Sequence, residues 1–216
     1  MRNQILVSIL LPTVLAWAST TAQAQKPAVP VCVTDDSVTE RFIPVDMLTG
    51  NPMTDSQKLV LAPVDRVYPF IDELPDGTLG NGDVQLKGPM TWEGPGATHE
   101  VYERKVPRAH ERYALTPDGT AMGRVYDQRI GPIRNEGKFP VGRWTQGQKR
   151  TYDTVYNVTG NGRLDATTLH MEKLSCTYEG IPGAMQYGWT NSRQSYGYIY
   201  APGKGLVHVM TRIQGR

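Results

Sequence analysis

Residues 149–177 read KRTYDTVYNVTGNGRLDATTLHMEKLSCT, and this stretch sets the fold class. In its first ten positions Arg150, Tyr152, Thr154, Tyr156 and Val158 alternate with Thr151, Asp153, Val155 and Asn157. That is the period-two pattern of a strand, whose successive side chains face opposite ways. Thr159, Gly160, Asn161 and Gly162 supply turn chemistry. From Arg163 to Thr177 the chain returns with Leu169 and Met171 on one face and His170 and Glu172 on the other. The segment reads as an antiparallel hairpin of two long strands.

Moving outward, the same alternation recurs on both sides. Towards the C-terminus, Ala184–Thr190 pairs with Ser195–Ala201 across Asn191–Gln194, and Gly205–Ile213 closes the sheet. Towards the N-terminus, His99–Lys105, Glu111–Leu115 and Thr120–Arg129 read as strands, with Pro117, Asp118 and Gly119 turning the chain between the last two. Val84–Leu86 and Met90–Trp92 are strand pieces split at Gly88 and Pro89, a position suited to a bulge or a sheet edge. Leu59 to Phe70 contributes one or two strands broken at Pro63, and Leu74–Asn81 is a loop. Residues 130–148, rich in Gly and Pro, read as the longest loop, with Phe139, Val141 and Trp144 folding back onto the core. With 22 Gly and 16 Pro in 216 residues, few stretches escape a breaker long enough for a substantial helix. The expectation is an all-β protein, an antiparallel meander of roughly ten strands forming a curved sheet, sandwich or open barrel.

Residues 1–24 have the form of a cleaved signal peptide: Arg2, an apolar run from Ile5 to Trp17, then Ala22, Gln23 and Ala24 as a small-x-small cleavage site. Pro12 and the short apolar run argue against a permanent membrane anchor, which needs about 20 apolar residues. Residues 25–57, with Pro27, Pro30, Pro44 and Pro52, form an irregular N-terminal arm holding one short strand at Arg41–Val45 and room for a short helix at Thr54–Leu59. Residues 58–216 form a single β-rich domain. The expected location is periplasmic or secreted. The leader's single charged residue is Arg2, so the rest holds 22 basic against 21 acidic side chains. That near-balance, with no clustered Lys and Arg, gives no basis for nucleic-acid binding. Cys32 and Cys176, an isolated pair in an exported chain, are expected to form a disulfide.

No motif for catalysis stands out. The four histidines, His99, His110, His170 and His208, lack the close pair spacing of a zinc site, so no metal is expected. There is no Gly-x-Ser-x-Gly elbow for a serine nucleophile. Gly203, Lys204 and Gly205 make a hairpin turn in preference to a phosphate cradle, and no cofactor is implied. Paired acids such as Glu100 with Glu103, or Glu172 with Glu179, could come together only through the fold.

One feature invites a ligand. Tyr196, Tyr198 and Tyr200 share one strand face, and Tyr187 and Trp189 share a face of the expected neighbour. These five rings suit either sheet support or a platform for a ligand. The segment Tyr200, Ala201, Pro202, Gly203, Lys204, Gly205, Leu206, Val207 resembles a closing hairpin found in several secreted or periplasmic β-rich bacterial proteins without an assigned function. The resemblance implies a bacterial envelope setting and a twisted antiparallel sheet, and it points to no site residue. The function expected is that of an exported, non-catalytic protein binding an envelope component, a sugar or apolar small ligand, or a protein partner. The alternative is a secreted hydrolase whose carboxylates assemble only in the fold.

Overall fold

Alternation becomes strand throughout the chain in a computed structural model, which describes residues 31–54, 57–107 and 109–212. The leader, residues 1–24, lies outside the described residues. The arm contributes β1 (Val33–Thr34), β2 (Glu40–Ile43) and the five-residue α1 (Val45–Thr49). The domain follows with β3 (Val64–Glu73), β4 (Leu79–Gly94), β5 (Ala97–Val106), β6 (Ala109–Leu115), β7 (Ala121–Asp127), β8 (Gly131–Pro140) and β9 (Gly142–Thr145). It is completed by β10 (Lys149–Tyr156), β11 (Arg163–Tyr178), β12 (Ile181–Thr190), β13 (Ser195–Ala201) and β14 (Gly205–Arg212).

Eleven of these strands close on themselves. The sheet runs β11-β10-β8-β7-β6-β5-β4-β3-β14-β13-β12, and β12 pairs back to β11. Every chain-successive pair in the ring is antiparallel, while the seam between β3 and β14 is parallel, with Val209 opposite Asp72. The parity of the ring requires this: in an up-and-down meander with an odd number of strands, the first and last run the same way and can meet only in parallel. Closure removes the exposed edges that an open sheet would carry. The sheet expected to be curved and antiparallel is therefore a closed barrel with one parallel seam.

The expected loop at 130–148 is instead two strands, β8 and β9, although Phe139, Val141 and Trp144 are buried as expected. One of its glycines, Gly137, serves close approach inside the sheet. A Cβ on Gly137 would sit 2.2 Å from the Tyr152 ring, and the Gly137 carbonyl accepts the Trp189 indole N–H at 3.0 Å. The bulge anticipated at Gly88 and Pro89 is present as a register shift between Lys87 and Met90 within one continuous β4. No helix forms over the described part of 54–59; the short helix falls earlier, at α1, all of whose residues are buried.

Two clusters hold the barrel. The larger fills its interior and one end, where β2 pairs with β9 and α1 places Val45 and Leu48 around a space shared with Tyr68 and Leu206. The smaller lies on the outer wall: Cys32, Cys176, Tyr178, Ala184, Ile199 and Ala201. There Cys32 and Cys176 form a disulfide across 144 residues, fastening β1 to the edge of β11.

Candidate functional site

The end opposite α1 is open. Facing strands leave a cavity of about 560 Å³ at this mouth. Its rim is formed by Phe70 and Asp72 of β3, Val106 of β5, and Val209 and Thr211 of β14. Deeper in, Arg104, Glu111, Arg124, Lys138 and Tyr198 form the floor. Below Arg104 lies a second, much smaller apolar space of about 30 Å³ against α1, lined by Leu48, Leu86, Tyr113 and Tyr200. It has room for little more than one water molecule. Arg104 thus stands between an apolar, plugged half and a polar, open half.

The floor is a layer of buried charge. Arg104 donates to Glu111 at 2.7 Å, and the other Glu111 oxygen accepts from Arg124 at 2.7 Å. Arg124 also clasps Glu136 through Nε and Nη2 at 2.6 and 2.9 Å and donates to Asp127 at 2.7 Å. Asp127 in turn accepts from the exposed Arg129, while the hydroxyls of Tyr113 and Tyr156 donate to Glu111 and Glu136 at 2.7 and 3.0 Å. Burial would raise the Glu111 carboxyl, but Arg104 and Arg124 outweigh it and hold Glu111 well below the ordinary carboxylate range. The layer is a connected network in which each carboxylate has an arginine.

Lys138 differs from its neighbours. It is only 5 % exposed, yet its ammonium makes no ion pair or hydrogen bond with any described residue. Its ammonium sits 3.2 Å from the centre of the Trp189 ring, with the rings of Tyr196 and Tyr198 at 5.4 and 5.7 Å. Burial lowers its pKa to about 7, and the Arg124 charge adds to the fall while Glu136 and Glu111 oppose it. Its inward aim has a local cause. The β7–β8 ladder pairs Gly123 with Gly137 and then Met122 with Phe139, so Lys138 is the extra residue of a bulge. Bulges redirect side chains in this way.

The five residues of the aromatic stripe all belong to the barrel interior. Tyr187, Trp189, Tyr198 and Tyr200 are buried and Tyr196 is half-buried. Tyr187 stacks between Tyr198 and Tyr200, with ring centres 5.2 and 6.0 Å apart. Within the group the roles divide: Tyr196 and Tyr198 border the mouth, Tyr200 lines the small apolar space, and Tyr187 and Trp189 support them. The structure does not bring the acid pairs together as a site: Glu103 is bound to Arg112 and His110, Glu172 to Arg212 and Gln186, and Glu100 and Glu179 are exposed.

Arg104, Glu111, Arg124, Glu136 and Lys138 were not legible as a group, because they come from four strands. A partial signal exists: Tyr102 with Arg104, Glu111 with Tyr113, and Met122 with Arg124 place a charge two residues from a large apolar side chain, on the same strand face. Among the described residues no cluster of three or more His, Cys, Asp or Glu could hold a metal ion, and no helix is long and apolar enough to cross a membrane. Comparison with protein families, curated proteins and solved structures finds no match to this chain.

Proposed function

We propose that this protein is an exported, non-catalytic binding protein of the bacterial envelope that takes a small molecule into the mouth of its barrel. The observation that carries the reading is the cavity of about 560 Å³, bordered by Tyr196 and Tyr198 and floored by fixed charge. Its size falls within the range of small-molecule pockets, and its wall joins apolar side chains, Phe70, Val106 and Val209, to the charged floor. The alternative, a hydrolase, needs one carboxyl group that keeps a proton to deliver. Glu111, the carboxylate that lines the cavity floor, is held ionised by two arginines, which favours binding over acid catalysis. Export is supported by the form of residues 1–24 and by the disulfide, which persists in oxidising compartments.

The test is titration with N-phenyl-1-naphthylamine, an uncharged dye that brightens in apolar surroundings. Saturable brightening is expected, and Thr211→Trp, which fills the mouth from β14, should suppress it. Absence of dye binding, or binding indifferent to Thr211→Trp, overturns the proposal. Turnover of ester or glycoside substrates that disappears in Glu111→Gln would replace it with the hydrolase.

A further inference from the structure

We propose that the mouth recognises a carboxylate, with Lys138 as the cation that meets it and the hydroxyls of Tyr196 and Tyr198 as donors beside it. The ligand class is a small amphipathic acid, with an apolar or aromatic body and one acid head. This inference rests on the reading of the mouth as a small-molecule site and adds the chemistry of the head group.

The charge network leaves one cation over. Glu111 is shared by Arg104 and Arg124, Glu136 is clasped by Arg124, and Asp127 is held by Arg124 and Arg129. Those carboxylates are all held by arginines, and Asp72, at the rim of the same cavity, makes no ion pair with Lys138, which is buried and lines the cavity. A buried ammonium without an anion is costly, and the Trp189 ring at 3.2 Å recovers part of that cost. An incoming anion would recover more. Tyr196 and Tyr198 add hydroxyls that hydrogen-bond to no described residue and line the same cavity. One spare cation suits a monoanion; a dianion would bring a second buried charge with no partner. Above the head group, Phe70, Leu74, Val106, Pro107 and Val209 offer apolar contact to the body of the ligand.

A pH signature follows. The charged groups nearest Lys138 are Arg104 of β5, Glu111 of β6, Arg124 of β7 and Glu136 of its own β8, with Asp72 of β3 and Arg129 of the β7–β8 turn farther out on the same cavity wall, while β12 and β13 present only aromatic rings. Of these, Glu111 stays ionised and the arginines stay charged through neutral pH. Lys138 is therefore the group whose charge changes. Its ammonium titrates at about 7 in the empty barrel, and a bound carboxylate raises that value, so acid binding is full below neutrality and weakens as pH climbs.

Calorimetric titration of the whole protein with 2-naphthylacetate and decanoate, each against its amide, tests this. At about pH 6.5 at least one acid should bind about tenfold or more tightly than its amide, as a desolvated ion pair predicts. Lys138→Met should abolish that preference and leave amide binding intact; the variant should fold, because it removes a buried charge with no acid partner. Lys138→Arg should keep the preference and lose the weakening at about pH 9, because its charge does not titrate there. Equal binding of acid and amide, or a preference that survives Lys138→Met, overturns the inference while leaving the mouth as a site. If both acids, both amides and the neutral dye all fail to bind, the reading of the mouth falls with it.

Discussion

Glu111→Gln separates a structural charge network from a decorative one. Glu111 accepts from Arg104, Arg124 and Tyr113, each at 2.7 Å, and its side chain is 5 % exposed. The amide is nearly isosteric but neutral. Arg124 would keep Glu136 and Asp127, whereas Arg104 would lose its only carboxylate among the described residues. Removing one partner of a buried pair costs about 3–5 kcal/mol, and because only one arginine is left without an acid the lower figure, about 3 kcal/mol, applies here. For a domain of this size, that is a fall in Tm of about 6–12 °C. Urea unfolding of the oxidised protein should show a lower midpoint with an unchanged slope, while Glu100→Gln, an exposed control, should change neither. The sign with pH follows from the depressed Glu111 carboxyl: the stabilisation is complete above the unfolded value of about 4.3 and is lost as pH falls through the lower folded value. A loss under about 1 kcal/mol at neutral pH, in the range of surface pairs, would refute the network's structural role.

Three further outcomes are expected. Because Lys138 titrates at about 7, far below the unfolded value of about 10.4, the unfolded chain binds the extra proton between those limits. Wild-type stability should therefore rise from about pH 7 to pH 9, and Lys138→Met should lack that rise when both are followed by urea unfolding. Removing the Cys32–Cys176 bond, which closes 144 residues, should destabilise by up to about 5 kcal/mol on chain-entropy grounds, read as a lower Tm for the double Ser variant under identical buffer. Gly137→Ala should cost about 1–3 kcal/mol by driving a methyl into the Tyr152 ring; an unchanged Tm would show that β8 and β10 can separate without penalty.

How much was legible in the chain depended on whether the signal was local. The 149–177 hairpin, the Thr116–Thr120 turn and the bulge at Gly88 and Pro89 are written in adjacent residues, and they formed where alternation and turn chemistry placed them. The aromatic stripe was readable as a face, but whether that face pointed into a core or at a ligand depended on closure. Closure divided it, sending Tyr196 and Tyr198 to the mouth and the rest to support. Residues 130–148 misled because Gly137 resembles a loop glycine, yet it is there to let Tyr152 approach. The charge layer was the least legible part. Its members lie up to 34 residues apart, from Arg104 to Lys138, and Lys138 turns inward through a bulge that depends on its pairing with β7.

The most direct test is nitrogen–proton NMR of the wild-type protein titrated with 2-naphthylacetate. Binding at the mouth predicts shifts that saturate and are confined to Val106, Lys138, Tyr196, Tyr198 and Thr211, with the outer wall around Cys176, Ala184 and Ile199 unmoved. Saturable shifts centred on that outer wall, or none at the mouth, would contradict it.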